Sequence, residues 1–180
     1  MTMPLSATAE LSPALARVAR GDLCAGCGAC AGLYPDKLTM KMAAPGFLRP
    51  VQTAALTGDE DAVIARICPA LGQVVAAEGR PDPVLWGPYV AMQTGWATDG
   101  DLRFAGASGG ALSMLALHLL EAGVVDAVVQ IAADPDQPIG NVTVISTDKA
   151  GILAAAGSRY APSAPLERVA ALMADGRRFA

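Results

Sequence analysis

Positive charge is scarce in this chain, and none of it is grouped. Thirteen lysines and arginines stand against 17 acidic residues, a net charge of −4, and the basic residues are scattered over 180 positions. Nucleic acid needs a basic stripe that tracks phosphates, so DNA and RNA are not expected partners. The opening residues, Met-Thr-Met-Pro-Leu-Ser-Ala-Thr-Ala-Glu, lack the basic cluster and apolar core of an export signal. A bilayer-spanning run is missing too. The most apolar stretch, 111–131, is interrupted by His118, Glu121 and Asp126 and reads as a buried helix and strand. There is no internal repeat and no low-complexity tract beyond alanine richness. Histidine is nearly absent: His118 is the single one. It sits among the leucines of a predicted helix, where such residues are mostly packed or surface-lying rather than catalytic.

Cysteine is also sparse, at four residues, and its distribution is uneven. Three of the four crowd a seven-residue string, Cys24-Ala-Gly-Cys27-Gly-Ala-Cys30. Without an export signal, that crowding favours ligation in the reducing cytoplasm over a disulfide framework. A run of this spacing folds as a tight loop that can place three thiolates on three corners of a 4Fe-4S cluster, leaving one iron to be ligated from elsewhere. Cys68 is the remaining cysteine. In a ferredoxin run the fourth ligand stands three residues further on, ahead of a proline; here Tyr34 precedes Pro35, so Cys68-Pro69 must supply it. Zinc is an alternative, although it usually takes paired Cys-x-x-Cys knuckles, and unliganded thiols are a third reading. Gly26 and Gly28 suit a loop whose amides point at cluster sulfides, and equally suit any tight loop.

With 53% hydrophobic residues the chain can build a real core, as one moderate domain or two small ones. Ser12-Pro13 predicts a hydroxyl-capped helix running to Gly21. Two short strands, 38–42 and 47–51, are expected around Ala44-Pro45-Gly46, and Thr57-Gly-Asp-Glu60 caps a helix ending near Cys68-Pro69. Residues 70–88, rich in proline and glycine, read as a linker. Beyond it a strand is expected at 89–98, reversed by Thr98-Asp99-Gly100-Asp101, followed by a Gly-rich loop and a helix at 111–122 stopped by Gly123. Strands at 127–132 and 142–146 and helices at 147–156 and 165–174 complete the pattern. Strands alternating with helices predict an α/β (α+β) fold with a mixed sheet. Arg177-Arg178-Phe179-Ala180 reads as the start of another strand, so a truncated sheet, or one needing a partner, is expected.

Two further motifs carry possible chemistry. Gly106-Ala-Ser108-Gly109-Gly110 opens a helix with small residues that let a phosphate or cofactor oxygen approach free amides; an ordinary serine-capped turn explains it as well. Gly157-Ser158-Arg159-Tyr160 offers a guanidinium and a phenol to a flavin or an anionic substrate, and its plain alternative is a C-cap glycine followed by an exposed arginine. Trp86 and Trp96 are expected to pack near the domain junction.

Taken in order, the cysteine triplet, Cys68-Pro69, Gly87-Pro88-Tyr89, Ala107-Ser-Gly-Gly-Ala111, Val125-Asp126 and Gly157-Ser-Arg-Tyr160 resemble the beta-subunit family of coenzyme F420 (deazaflavin) hydrogenases and dehydrogenases, which includes related iron-sulfur flavoprotein reductases. The resemblance implies that Cys24, Cys27, Cys30 and Cys68 hold one 4Fe-4S cluster. It implies FAD as a second cofactor, lined by Ser108, Gly109, Gly110, Ser158, Arg159 and Tyr160. The expected division is a cluster-binding portion, 1–80, and an α/β flavin-associated domain, 81–180, incomplete at its C-terminus. The expected function is a cytoplasmic oxidoreductase passing electrons between FAD and the cluster, with a deazaflavin, ferredoxin or tetrapyrrole-type partner. The alternative is a non-catalytic electron-transfer or metal-stabilised module docking on a protein that carries the flavin and substrate site. A redox partner protein, or the remaining C-terminal half, is the expected macromolecular partner, and self-association is compatible with either reading.

Overall fold

A computed structural model describes residues 9–180. Most of the N-terminal segment expected to lack an export signal lies outside those residues. The first helix, α1 (Pro13–Arg20), forms where proline occupies its first turn, and it buries Ala14, Leu15 and Val18 along one face. Its expected hydroxyl cap is not used. Ser12 makes no side-chain cap hydrogen bond; instead Ala14 N–H donates to Asp61 Oδ1 at 2.9 Å, and Ser12 N–H donates to the buried Gln52 Oε1 at 3.0 Å. Both acceptors are remote in sequence, and they satisfy donors that the helix end leaves open.

A short helix, α2 (Ala29–Leu33), precedes the hairpin β1 (Leu38–Ala43) and β2 (Phe47–Gln52), paired antiparallel with Leu38 opposite Gln52. Helix α3 (Gly58–Ile67) starts with the expected capping box: Thr57 Oγ1 accepts from Glu60 N–H and the Glu60 carboxylate accepts from Thr57 N–H. It ends on Cys68. Leu15, Ala14, Ala31, Leu38 and Ile64 form the core of this portion. Leu38 and Ile64 are fully buried, and burial of each stabilises by about 1.5–3 kcal/mol.

The strand expected at 89–98 does not form; a short 3-10 turn, Pro69–Leu71, is followed by irregular chain to Asp99. The turn expected at 98–101 is instead a helix start. Asp99 Oδ1 accepts from Asp101 N–H and Leu102 N–H, both at 3.0 Å, and caps α4 (Gly100–Ala105). A 3-10 turn, Ala107–Gly110, leads into α5 (Ala111–Glu121). Strands β3 (Val128–Ala133) and β4 (Asn141–Ser146) pair antiparallel, and α6 (Lys149–Ala154) follows, capped by Asp148. Leu102, Leu117, Val128 and Ile152 centre a second core. The expected 165–174 helix is a 3-10 turn, Pro165–Arg168, continuing as α7 (Val169–Ala174).

The fold is mixed α+β, with its strands in two separate antiparallel pairs. Parallel character enters at the chain end, where Phe179 bridges Ala127 and Val129 N–H donates to Ala180 O at 2.8 Å. That end is held by Arg178, whose Nη2 and Nε donate to the two Asp126 carboxylate oxygens at 2.6 and 3.1 Å. Among the described residues no helix is long and apolar enough to cross a membrane.

Candidate functional site

The loop after α1 must turn sharply to bring three cysteines to one side. Gly26 (φ +75°) and Gly28 (φ +83°) take the left-handed conformations that allow it. Space is equally restrictive: a Cβ on Gly26 would lie 3.0 Å from Leu48 O, and one on Gly28 would lie 2.9 Å from both Ala164 Cβ and Glu167 N. Leu166 N–H donates to Cys27 O at 3.0 Å, so the 165–168 turn fastens the loop from the far end of the chain. Cys30 lies in the first turn of α2, and Cys68 follows the last residue of α3.

All four cysteines are free and half-buried, and they line one largely apolar pocket with Leu15, Val18 and Ile64. Cys24, Cys27, Cys30 and Cys68 are thus brought together from two separate segments. Gly26 N–H points at Cys24 Sγ, 3.4 Å away. Burial pushes the Cys24 thiol above its ordinary value, opposed by that amide and by the Arg49 charge. Burial pushes Cys30 up to about 12, reinforced by Cys24, Cys27 and Cys68. Four thiolates here are costly unless a cation sits among them, which is the electrostatic condition for a metal centre. Among the described residues no three His, Cys, Asp or Glu side chains close on a single ion. Four cysteine thiols are a donor set that both a tetrahedral zinc and an iron-sulfur cluster take.

The residues expected at a flavin are divided by the fold. Ser108 (φ +50°), Gly109 and Gly110 (both φ +72°) form three consecutive left-handed residues before α5. The glycines are required by packing: a Cβ on Gly110 would lie 2.3 Å from Leu102 O, and one on Gly109 2.9 Å from Trp96 Cβ. Ser108 is exposed. Gly157 comes beside this loop, its added Cβ 3.7 Å from Ala105 O. Arg159 is engaged by the β3–β4 hairpin: Nε donates to Asn141 Oδ1 at 2.6 Å, and Nη2 donates to Pro138 O and Gly140 O at 2.9 and 3.0 Å. Ser158 is exposed as well. Tyr160, also exposed, lines a cleft of about 360 Å³ shared with Ala25 and Gly26 of the cysteine loop and with Phe47 and Arg49 of β2. His118 lies exposed on α5. Trp86 and Trp96 are exposed rather than packed at a junction, and Trp96 stacks against the Arg103 guanidinium, 5.3 Å from its ring centre.

Sequence reasoning missed Arg49 and the 164–167 segment. Arg49 carried a signal, a lone cation in the short apolar strand Phe-Leu-Arg-Pro-Val. The later segment carried none until its contact with the cysteine loop was visible.

Residues 92–170 match the family described as "Coenzyme F420 hydrogenase/dehydrogenase, beta subunit N-term". The matched region includes the 106–110 and 157–160 loops and lies wholly beyond the four cysteines. No curated protein matches the chain. Among solved structures, the F420-reducing [NiFe] hydrogenase complex from Methanosarcina barkeri is similar at 25% identity and a TM-score of 0.42, over 46% of this chain and 28% of that one. The chain therefore spans little more than a quarter of the length of that relative's chain. Over residues 92–170 the chain is similar to the N-terminal region of the beta-subunit family of coenzyme F420 hydrogenases and dehydrogenases.

Proposed function

We propose that this chain is the cluster-bearing portion of an iron-sulfur flavoprotein oxidoreductase, with Cys24, Cys27, Cys30 and Cys68 holding a single 4Fe-4S cluster. The observation that carries this reading is the convergence of all four cysteines on one pocket from segments 38 residues apart, Cys30 to Cys68. When bound, FAD supplies two-electron exchange with a substrate and the cluster supplies single-electron transfer. This chain's own contributions are positional. Gly26 and Gly28 let the loop bend, Leu166 anchors Cys27, and the apolar pocket wall excludes water from the sulfurs.

FAD is assigned to the region joining the 108–110 and 158–160 loops. The cleft between Tyr160 and Ala25-Gly26 is where a flavin would come nearest the cysteine loop. Of the six residues in those two loops, Tyr160, which lines that cleft, would contact such a group, while Arg159 braces the β3–β4 hairpin. The proposed division is a cluster-binding portion, 1–80, and a flavin-associated portion, 81–180, with 164–174 packed back onto the first. The substrate is assigned to the deazaflavin class, and the reducing cytoplasm is the compartment that keeps these thiols available.

A second reading is supported by exposed apolar residues, among them Leu85, Trp86, Phe104, Leu112 and Ile139. Such a surface suits a module docked on a partner that supplies the flavin and substrate site. Anaerobic reconstitution with iron and sulfide tests the cluster: about four irons per chain and a broad visible absorption that bleaches on reduction are expected. Full colour and iron content in Cys68→Ala would refute that ligand. Stoichiometric FAD in the gently purified chain supports the enzyme, and cluster without flavin supports the module.

A further inference from the structure

We infer that Arg49 is a positioning and charge-compensating residue for the cysteine site, one that sets how readily a cluster held there accepts an electron. The inference rests on the cluster reading above. Arg49 projects from β2 toward the cysteine loop, and its side chain is only 13% exposed. Three contacts fix it there. Nη1 donates to Leu48 O at 3.1 Å, the guanidinium lies 4.9 Å from the Phe47 ring centre, and Nη2 lies 3.6 Å from Asp22 Oδ1.

These contacts join Arg49 to the loop at two points. Leu48 O, which Arg49 donates to, is the atom that Gly26 closely approaches, and Asp22 precedes Cys24 by two residues. Arg49 also shares the cleft wall with Ala25 and Gly26. A largely desolvated cation beside the cysteine loop is weakly screened. Four thiolates around a cubane leave net negative charge, and reduction adds one more negative charge without breaking a bond. A fixed cation therefore stabilises the reduced state more than the oxidised one and raises the reduction potential. Asp22, 54% exposed on its side chain, partly offsets that cation.

The test is a spectroelectrochemical titration of anaerobically reconstituted protein, with an electrode as electron source and visible bleaching as readout. Arg49→Gln should be harder to reduce, with the reduction equilibrium shifted about tenfold, equivalent to ~59 mV for one electron. Arg49→Lys, which keeps the charge, should restore most of the wild-type potential. Asp22→Asn should shift it the opposite way, and asparagine accepts the positive φ of that position (+48°). An unmoved potential in fully loaded Arg49→Gln, or shifts of the same sign in Arg49→Gln and Asp22→Asn, would overturn the inference. Should Arg49→Gln fail to load, Asp22→Asn decides: a higher potential supports the inference and an unmoved one overturns it. Failure of the wild-type chain to form a cluster strikes the cluster reading itself, before any variant is compared.

Discussion

Gly32→Ala puts two opposed effects in direct competition. In a free helix, alanine in place of glycine stabilises by about 1 kcal/mol. Gly32, however, faces the 165–168 turn so closely that a Cβ would lie 2.1 Å from Leu166 O and 3.0 Å from Glu167 O. Both obstacles are backbone atoms, so no side-chain rotation relieves them. The turn must retreat by about 1 Å, an overpacking cost of about 1–3 kcal/mol. Retreat also strains the Leu166 N–H bond to Cys27 O, worth about 1 kcal/mol. Packing therefore outweighs propensity, and a net loss of about 1–3 kcal/mol is expected. For a chain of this size each kcal/mol moves Tm by about 2–4 °C, so the expected fall is roughly 2–12 °C by circular dichroism. On the cluster reading, iron release from the reconstituted protein should accelerate in parallel, because the turn that anchors Cys27 is displaced. Gly58→Ala is the control, since nothing lies within 4 Å of a Cβ there. A Gly32→Ala protein as stable as wild type, or more so, would refute the docking of this turn on α2.

Acid should weaken the fold through three ion-paired carboxylates. Glu60, Asp99 and Asp126 are held below their ordinary range chiefly by hydrogen bonds from Lys37, Lys149 and Arg178. A carboxylate depressed in the folded state contributes stability that is present above its unfolded value of about 4 and is lost as pH falls through the folded one. Urea midpoints should hold steady from neutral pH to about 5 and drop below about 4; an Arg178→Gln acid limb identical to wild type would contradict the Asp126 contribution. Thr57→Ala removes the acceptor for Glu60 N–H and should cost about 1 kcal/mol in urea unfolding. An unchanged midpoint there would mean that α3 is held by its packing alone.

The elements written into the sequence by local chemistry are the ones found in the structure. Thr57 and Glu60 close a capping box within four residues, Ala44-Pro45-Gly46 separates two paired strands, and Gly123 stops α5. What escaped depends on remote partners. The proline and serine at α1 were legible, but the carboxylate that caps it comes from Asp61. Residues 89–98 alternate in a strand-like way, yet a strand requires a neighbour, and Asp99 commits the next residues to a helix instead. Arg159 was legible as a cation after a helix. Its binding to Asn141, Pro138 and Gly140 was not, because those groups meet it only after β3 and β4 pair.

The same division runs through the candidate centre. Spacing announced the three loop cysteines, and elimination announced Cys68, but spacing alone does not hold the loop in place. Its shape is fixed by backbone of other segments: Leu48 O against Gly26, Ala164 and Glu167 against Gly28, and Leu166 N–H on Cys27 O. Cys68 adds a fourth tie from the end of α3. A metal centre bound by all four thiolates would therefore link α1, α3, β2 and the 165–168 turn through one body. Loss of the centre should release the last of these contacts first, because the turn contributes no buried side chain of its own while Leu15, Leu38 and Ile64 keep the rest of that portion packed. Hydrogen exchange at Leu166, faster in the metal-free chain than at Ile64, is the expected signature of that order.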